Sequence, residues 1–158
     1  MTHDNTNNVD NDAPISREVL LQLINSSIQS GHPLYLVQAN LSGANLFGAN
    51  LSGASLGMAN LTNTKLTNAN LSGANLERAN LANAYLEGTD FTGANLKYIS
   101  LTVTVLYNAD FTGADLRYTD LRYAAYLPSA NLEHVDLTGA NFNYADLGYA
   151  DLDLSENK

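Results

Sequence analysis

The histidines are the first side chains to examine for chemistry, because imidazole acts as a general base and a metal ligand near neutral pH. The chain has 3 of them, His3, His32 and His134, and no two are close in sequence. It has no cysteine, and it contains no Ser-His-Asp, metal-ligand or phosphate-loop pattern. The sequence therefore favours a protein that is not an enzyme, holds no metal and needs no cofactor.

Carboxylates are the second group of interest, and they are concentrated in the second half of the chain. The formal net charge is −9, from 16 acids and 7 bases. The charges between Asn40 and Thr89 sum to zero, whereas the segment from Asp90 to Asp153 is strongly acidic. Such a charge disfavours direct nucleic-acid binding. Rows of Asp attract hard cations such as Ca²⁺, but a calcium site needs several converging oxygens, which flat faces do not supply.

A repeat of five residues positions these side chains. Leu or Phe recurs at every fifth position from Leu36 to Leu121 and, after a slip of one residue, from Leu127 to Leu152. Of these 24 centres, 21 are Leu and 3 are Phe, and Ala stands two residues before the centre in 17 units. A repeat this regular determines the architecture before local propensity is considered.

The spacing of the apolar residues alternates between two and three, which fits neither a strand nor a helix. It indicates a short extended piece with two inward residues, followed by a corner. Corners favour residues that accept positive φ, and Gly or Asn stands two positions after the centre in 12 of the 24 units. Stacked coils of this kind would form a narrow tube with a spacing of about 4.8 Å.

The units at 69–73 (Ala-Asn-Leu-Ser-Gly) and 109–113 (Ala-Asp-Phe-Thr-Gly) resemble those of the pentapeptide repeat family. The resemblance covers residues 34–154 and implies an all-β solenoid, a right-handed quadrilateral parallel β-helix with four units per coil. The family is especially common in cyanobacteria, and most of its members have no known biochemical role. A minority bind type II topoisomerases by resembling DNA.

The N-terminal part precedes the repeat. Residues 1–13 are rich in Asn, Asp and Thr, which predicts a disordered tail. Residues 14–31 predict a helix that caps the open N-terminal end of the stacked coils, called the tower below. Ser16 is its predicted N-cap, and Gly31 lies at its C-terminal end. Its predicted apolar stripe consists of Val19, Leu20, Leu23, Ile24 and Ile28.

Stacking the units by twenty residues predicts an exposed aromatic patch on the side that carries Leu46, Leu66 and Leu86. A contiguous apolar patch suggests a protein interface. The alternative is that aromatic residues stack only to stabilise the coils, and both interpretations stay open. The candidate interface residues are Tyr85, Val103, Val105, Tyr107, Tyr123, Tyr126 and Tyr144. A shorter corner column, with Met58, Arg78, Tyr98 and Tyr118, is interpreted as structural.

The acidic residues stack on two other sides of the predicted tower and could resemble a row of phosphates. Solubility is the alternative explanation, and the small number of acids and the neutral first half favour it. The candidate acidic residues are Asp90, Asp110, Asp115, Asp136 and Asp151.

The slip between Leu121 and Leu127 predicts one bulged corner, interpreted as a tolerated insertion rather than a functional site. The tail at 155–158 is too short to form a lid. The last coil therefore presents an open β edge, which either pairs in a homodimer or is protected by the charges of Asp151, Asp153 and Glu156.

The sequence favours a non-catalytic protein-interaction scaffold with an unidentified protein partner. The alternative is a DNA-mimicking modulator of a type II topoisomerase that acts through the acidic faces. No run is long enough to cross a membrane, and the first residues lack the features of a secretory signal, so a cytoplasmic location is expected.

Overall fold

A computed structural model describes residues 14–123, 127 and 129–145 of the 158-residue chain. Among them, one helix is present, α1, at Arg17–Ser30. Ser16 is its N-cap and accepts a hydrogen bond from the Val19 N–H, and Gly31 ends it in the left-handed conformation with φ 68°. The predicted tails at 1–13 and 155–158 lie outside the described residues.

The rest of the described chain winds in four-sided coils joined by single parallel β-bridges. Each bridge links residues twenty apart, as in Asn45 with Lys65 and Lys65 with Tyr85. Four such columns start at Tyr35, Asn40, Asn45 and Asn50. Each side of a coil contributes a single bridged residue, so the described part contains no strand of several residues. The ladder is built from many single-residue bridges.

Every described corner residue, two positions after a centre, has a positive φ. Gly53, Gly73, Gly93 and Gly113 occupy one such column, with φ between 63° and 65°. Non-glycine residues adopt the same conformation, including Val103 with φ 57°. For a β-branched residue this region is strained, so the coil geometry imposes the corner conformation whatever the residue.

The slip changes the register by one residue, and three of the four columns are seen to continue beyond it. Asp90 bridges Asp110, a separation of twenty, whereas Asp110 bridges Asn131 and Asp115 bridges Asp136, a separation of twenty-one. The columns therefore resume after the slip. The predicted bulge itself falls mainly on residues 124–126, which lie outside the described residues.

The inward residues form one continuous core. Most described centres from Leu36 onward are almost fully buried, as are the Ala or Thr residues two positions earlier. Phe91 and Phe111 stack with ring centroids 5.0 Å apart, close to the usual spacing of neighbouring β chains. Four buried Thr hydroxyls donate to core carbonyls, for example Thr64 to Leu61 at 2.7 Å. The core therefore leaves no buried side-chain polar atom without a hydrogen bond in the described part.

Helix α1 contributes fewer residues to this core than its predicted stripe. Leu20 and Ile24 are buried in the same cluster as the first centres, and Leu23 is partly buried. Val19 and Ile28 are exposed. Ile15, just before the helix, donates its backbone N–H to the Asn40 carbonyl at 2.9 Å. The predicted stripe was therefore too wide, since Val19 and Ile28 stay outside the contact with the core.

Candidate functional site

The position just before each centre has a defined structural role. Wherever Asn or Asp stands there in the described residues, its side-chain oxygen accepts a hydrogen bond from the backbone N–H two residues later. Asn70 accepts from Ser72 at 2.9 Å, and Asp90 accepts from Thr92 at 2.8 Å. Such local side-chain acceptors stabilise turns. The abundance of Asn and Asp at this position therefore follows from the fold and does not by itself signal function.

On one side of the solenoid, most coils lack this side-chain hydrogen bond, which we call the turn cap. We call this side the aromatic side; it carries Lys65, Tyr85 and Val105 before its centres. Asn45 in the first coil still accepts from the Phe47 N–H at 3.2 Å. The next residues in the column cannot accept, so the N–H groups of Thr67 and Glu87 have no side-chain acceptor among the described residues. Local rules that a fold obeys elsewhere are commonly broken where a surface has another role.

The predicted interface residues lie on or beside the aromatic side with different degrees of exposure. Tyr85 and Val103 are each 53% exposed, and Tyr107, Tyr123 and Tyr144 are exposed as well. Val105 is only half-buried. Tyr85 bridges Val105 one coil away. Tyr126 lies outside the described residues.

Two tyrosines of the predicted interface are engaged with each other. Tyr123 and Tyr144 stack with ring centroids 5.2 Å apart and planes within 5°. Coil stacking is thus sufficient to explain this pair. Tyr85 makes no ring contact within the described part. Ring stacking therefore does not explain why Tyr85 and Val103 are exposed.

The corner column with Tyr98 and Tyr118 forms a stack that runs through several coils. The two rings lie 5.0 Å apart, and the Arg78 guanidinium lies 5.2 Å from the centre of the Tyr98 ring. The Tyr118 ring also lies against Gly139, where a Cβ would come within 2.6 Å of it. The column is therefore satisfied within the molecule, in agreement with its structural interpretation.

The side opposite the aromatic side carries a network of ion pairs. We call it the charged side; Lys97, Asp115, Arg117 and Asp136 define it. Arg117 binds both carboxylate oxygens of Asp115, at 2.9 and 2.8 Å, Lys97 lies 3.3 Å from Asp115, and the Arg117 Nε atom lies 3.4 Å from Asp136. The hydrogen bond from Arg117 lowers the pKa of Asp115 to about 2. Two of the predicted acidic residues are therefore neutralised by neighbouring cations.

The remaining predicted acidic residues differ in their surroundings. Asp90 and Asp110 bridge one another on the side next to the charged side. Thr112 donates both its backbone N–H and its hydroxyl to Asp110, at 2.9 and 2.6 Å, and no cation pairs with either Asp in the described part. Asp151 lies outside the described residues. The structure brings together only this short unpaired row, not the five-residue face.

A groove beside α1 was not predicted from the sequence. It has a volume of about 270 Å³ and lies between one face of α1 and the first coil at 45–50. Apolar residues line both walls, and Arg17 lies at the helix end of it. Phe47 is 62% exposed there. The signal available in the sequence was Phe47 itself, since the other described positions after a centre are mostly small or polar.

No group of His, Cys, Asp or Glu that could hold a metal ion occurs in the part of the chain that the structure describes. In the same residues, no helix is long and apolar enough to cross a membrane.

Four-sided coils, single-residue bridges and left-handed corners define the chain as a parallel β-solenoid built from pentapeptides. The family model for pentapeptide repeats matches it in 8 copies, over residues 35–57, 59–97, 94–125 and 123–155. The chain belongs to the pentapeptide repeat family, and its fold is the right-handed quadrilateral β-helix.

The chain is also similar to solved structures of pentapeptide repeat proteins. The pentapeptide repeat protein alr5209 of Nostoc is 27% identical with a TM-score of 0.63, over 80% of this chain and 99% of that one. HetL of Nostoc, a protein involved in heterocyst differentiation regulation, is 30% identical with a TM-score of 0.40, over 75% and 65%. A thylakoid-lumen protein of Arabidopsis thaliana is 24% identical with a TM-score of 0.48, over 73% and 72%. Among curated proteins, none matches the chain significantly.

Proposed function

We propose that this protein is a non-catalytic scaffold that binds a protein partner through its aromatic side. The loss of the turn cap supports the proposal: most units of the other sides carry Asn or Asp before the centre, whereas three successive coils of this side carry Lys65, Tyr85 and Val105. The exchange removes a stabilising hydrogen bond from the coils after the first and leaves Tyr85 exposed to solvent. Tyr is among the residues enriched at interfaces, since it adds contact area and a polar tip.

The chemistry of the surface favours a partner with hydrogen-bond acceptors and an apolar contact. Tyr85 and Val103 supply the apolar area, and the N–H groups of Thr67 and Glu87 remain as donors. Lys65 adds one positive charge in the same column, one coil from Tyr85. A partner patch that offers an apolar side chain together with carbonyl or carboxylate oxygens would satisfy all three features.

The alternative proposal is a DNA-mimicking modulator of a type II topoisomerase. Among the described acidic residues, the row of Asp90 and Asp110 supports it, because Lys97 and Arg117 of the charged side pair with Asp115 and Asp136. Two carboxylates one coil apart form a row that is short in comparison with the run of phosphates on DNA. The aromatic side is therefore the stronger candidate.

A further proposal concerns α1, which we assign as the lid of the N-terminal end of the tower. Its support is the burial of Leu20 and Ile24 in the core cluster and the hydrogen bond from Ile15 to Asn40. Coils of a solenoid bury their faces only against neighbours, so an uncovered end would expose the core.

Photo-crosslinking from single positions tests both interaction proposals in one experiment. p-Benzoylphenylalanine is placed at Tyr85 on the aromatic side, at Thr92 beside Asp90, and at Ala82 on a polar side as the control. The protein is irradiated in its host cells, and adducts are identified by mass spectrometry. We expect an adduct from position 85 that positions 92 and 82 do not give, and Tyr85→Asn should weaken that complex at least about tenfold.

An adduct with a topoisomerase from position 92 alone would favour the alternative. The same adducts from all three positions, or none from position 85, would contradict binding through the aromatic side.

A further inference from the structure

The first coil has an incomplete hydrogen-bond ladder on the aromatic side. One coil further on, Lys65 donates its N–H to the Ala44 carbonyl and accepts from the Leu46 N–H, and Thr67 accepts from the Gly48 N–H. The equivalent groups of the first coil are the N–H and carbonyl of Asn45 and the carbonyl of Phe47. None of these three has a backbone partner among the described residues.

The neighbouring side shows what such groups can bind. There the Asn40 carbonyl accepts from the Ile15 N–H at 2.9 Å, so a segment from outside the repeat takes the place of a preceding coil. The burial of Leu20 and Ile24 over this end prevents a whole further coil from stacking on it. The backbone groups at 45–50 are among those that stay open in the described part, and the helix beside them makes a second copy of the tower a poor fit.

The groove beside α1 lies along this open edge. Leu21, Ile24 and Ile28 line it from the helix, and Leu46 and Phe47 line it from the coil. Its volume of about 270 Å³ is below the range of roughly 300–1,000 Å³ that is typical for small-molecule sites. The space suits an aliphatic side chain of a peptide rather than a cofactor.

Arg17 gives the groove its charge. It is exposed and forms no ion pair within the described part, and none of the groove's lining residues is acidic. On a chain with a net charge of −9, a site whose single charged lining residue is a cation selects for an acidic group near the bound segment.

We propose that the edge at Asn45–Phe47 and the groove beside α1 form a strand-addition site for an extended, acidic segment of a partner protein. The bound segment takes the position of a missing pentapeptide. The carbonyl of its first residue accepts from the Asn45 N–H, and the N–H groups of its third and fifth residues donate to the Asn45 and Phe47 carbonyls. Its third side chain is apolar and packs into the groove. Main-chain hydrogen bonds supply affinity in this mode, and the pocket supplies specificity.

Fluorescence anisotropy with defined peptides tests the site. The probe set is fluorescein-labelled Asp-Ala-Thr-X-Thr-Gly-Asp in all cyclic shifts of the five central residues, with X as Val, Leu, Ile or Phe. We expect saturable binding by at least one member. N-methylation at the two amides that face the edge should weaken that binding about tenfold, since it removes two hydrogen bonds, whereas N-methylation at an amide that faces away should change it less than about twofold.

Variants of the protein locate the binding. Ile28→Asp and Phe47→Ser should each weaken it about tenfold, and Arg17→Glu should reverse the preference from the acidic peptide to its Lys-flanked counterpart. Tyr85→Asn lies outside the groove and should leave peptide binding unchanged, so the outcome is independent of the scaffold proposal for the aromatic side. Circular dichroism confirms that each variant is folded.

Four results would overturn the proposal. Binding by no member of the set excludes a strand-addition site, and equal effects of the two N-methylations exclude pairing at the edge. Peptide binding that appears only after deletion of residues 1–13 assigns the groove to the chain's own first residues. Concentration-dependent dimers in sedimentation that Phe47→Ser abolishes assign it to a second copy.

Discussion

The aromatic side and the charged side occupy opposite faces of the same square coil and use their outward residues in different ways. On the charged side, Asp115 caps the turn at Arg117, and Arg117 and Lys97 bind its carboxylate. Hydrogen bonds and charges are satisfied within the molecule. On the aromatic side, Lys65 and Tyr85 cap nothing. The backbone is the same on both sides, so the difference lies in whether the outward side chains are hydrogen-bonded and paired within the molecule or left exposed.

The tyrosines fall into a stacked and an unstacked group. Tyr98 and Tyr118 are stacked between Arg78 and Gly139, and Tyr123 and Tyr144 are stacked on each other. Tyr85 has no ring partner in the described part. Exposure alone therefore does not mark an interface in a solenoid, because stacked residues are also exposed; exposure without stacking or capping is the more selective sign.

The largest effect that separates the two kinds of tyrosine should come from Gly139→Ala. The new Cβ would lie within 2.6 Å of the Tyr118 ring, in a conformation with φ 72°. We expect a loss of about 2–3 kcal/mol, the sum of overpacking and left-handed strain. Gly113→Ala is the control, since nothing lies within 4 Å of its Cβ, and it should lose about 1–2 kcal/mol. Urea unfolding measures both, and equal losses would refute a tightly packed corner stack.

A smaller effect of opposite sign is expected from Tyr85→Asn on the aromatic side. The new amide oxygen can accept from the Glu87 N–H, as Asn70 does from Ser72. The free energy of unfolding should rise by about 0.5–1.5 kcal/mol. Lys65→Asn should gain as much, whereas Tyr85→Ala supplies no acceptor and should gain nothing. Destabilisation by both Asn variants would show that the aromatic side is built for stability.

The smallest effect concerns the ion pairs of the charged side. Asp115→Asn keeps the turn cap but removes the charge that Arg117 and Lys97 bind. We expect a loss of about 0.5–1 kcal/mol at pH 7, as for other partly exposed pairs. The hydrogen bond from Arg117 lowers the pKa of Asp115 from 3.8 to about 2, so the stabilisation is present above about pH 4 and is lost as the pH falls toward 2.

Stability curves of wild type and Asp115→Asn should therefore differ at pH 7 and converge as the pH falls below about 2. The matched control is Asp90→Asn, which also keeps a turn cap but removes an Asp that is not in an ion pair. It should not lose stability at pH 7. A loss as large as that of Asp115→Asn would attribute the effect to the turn cap rather than to the ion pairs.

The sequence predicted the coil closely because each unit repeats the same constraints. The alternating spacing predicted inward residues and corners, and the twenty-residue stacking of Asn45, Lys65 and Tyr85 is present in the bridges. The change of register after the slip also follows from the count of residues. These features depend on local periodicity, which a single sequence contains in full.

The candidate sites were less predictable because they depend on which side chains meet. The stacking of units by twenty placed Asp115 and Asp136 in one row of the predicted acidic face. It did not reveal that the Arg117 side chain pairs with both carboxylates. The groove depends on how α1 lies across the first coil, which the helix pattern does not determine. Tyr126 and Asp151 lie outside the described residues and stay predictions.

The change of register near the slip has a consequence for protein engineering. Three columns continue past it although the chain has gained one residue, so the coil can take up an additional residue without disturbing the surfaces that follow. Successive coils are spaced regularly along the solenoid axis, about 4.8 Å apart. Binding groups transferred to chosen outward positions could thus be displayed at set distances, while the Leu and Ala residues within remain untouched.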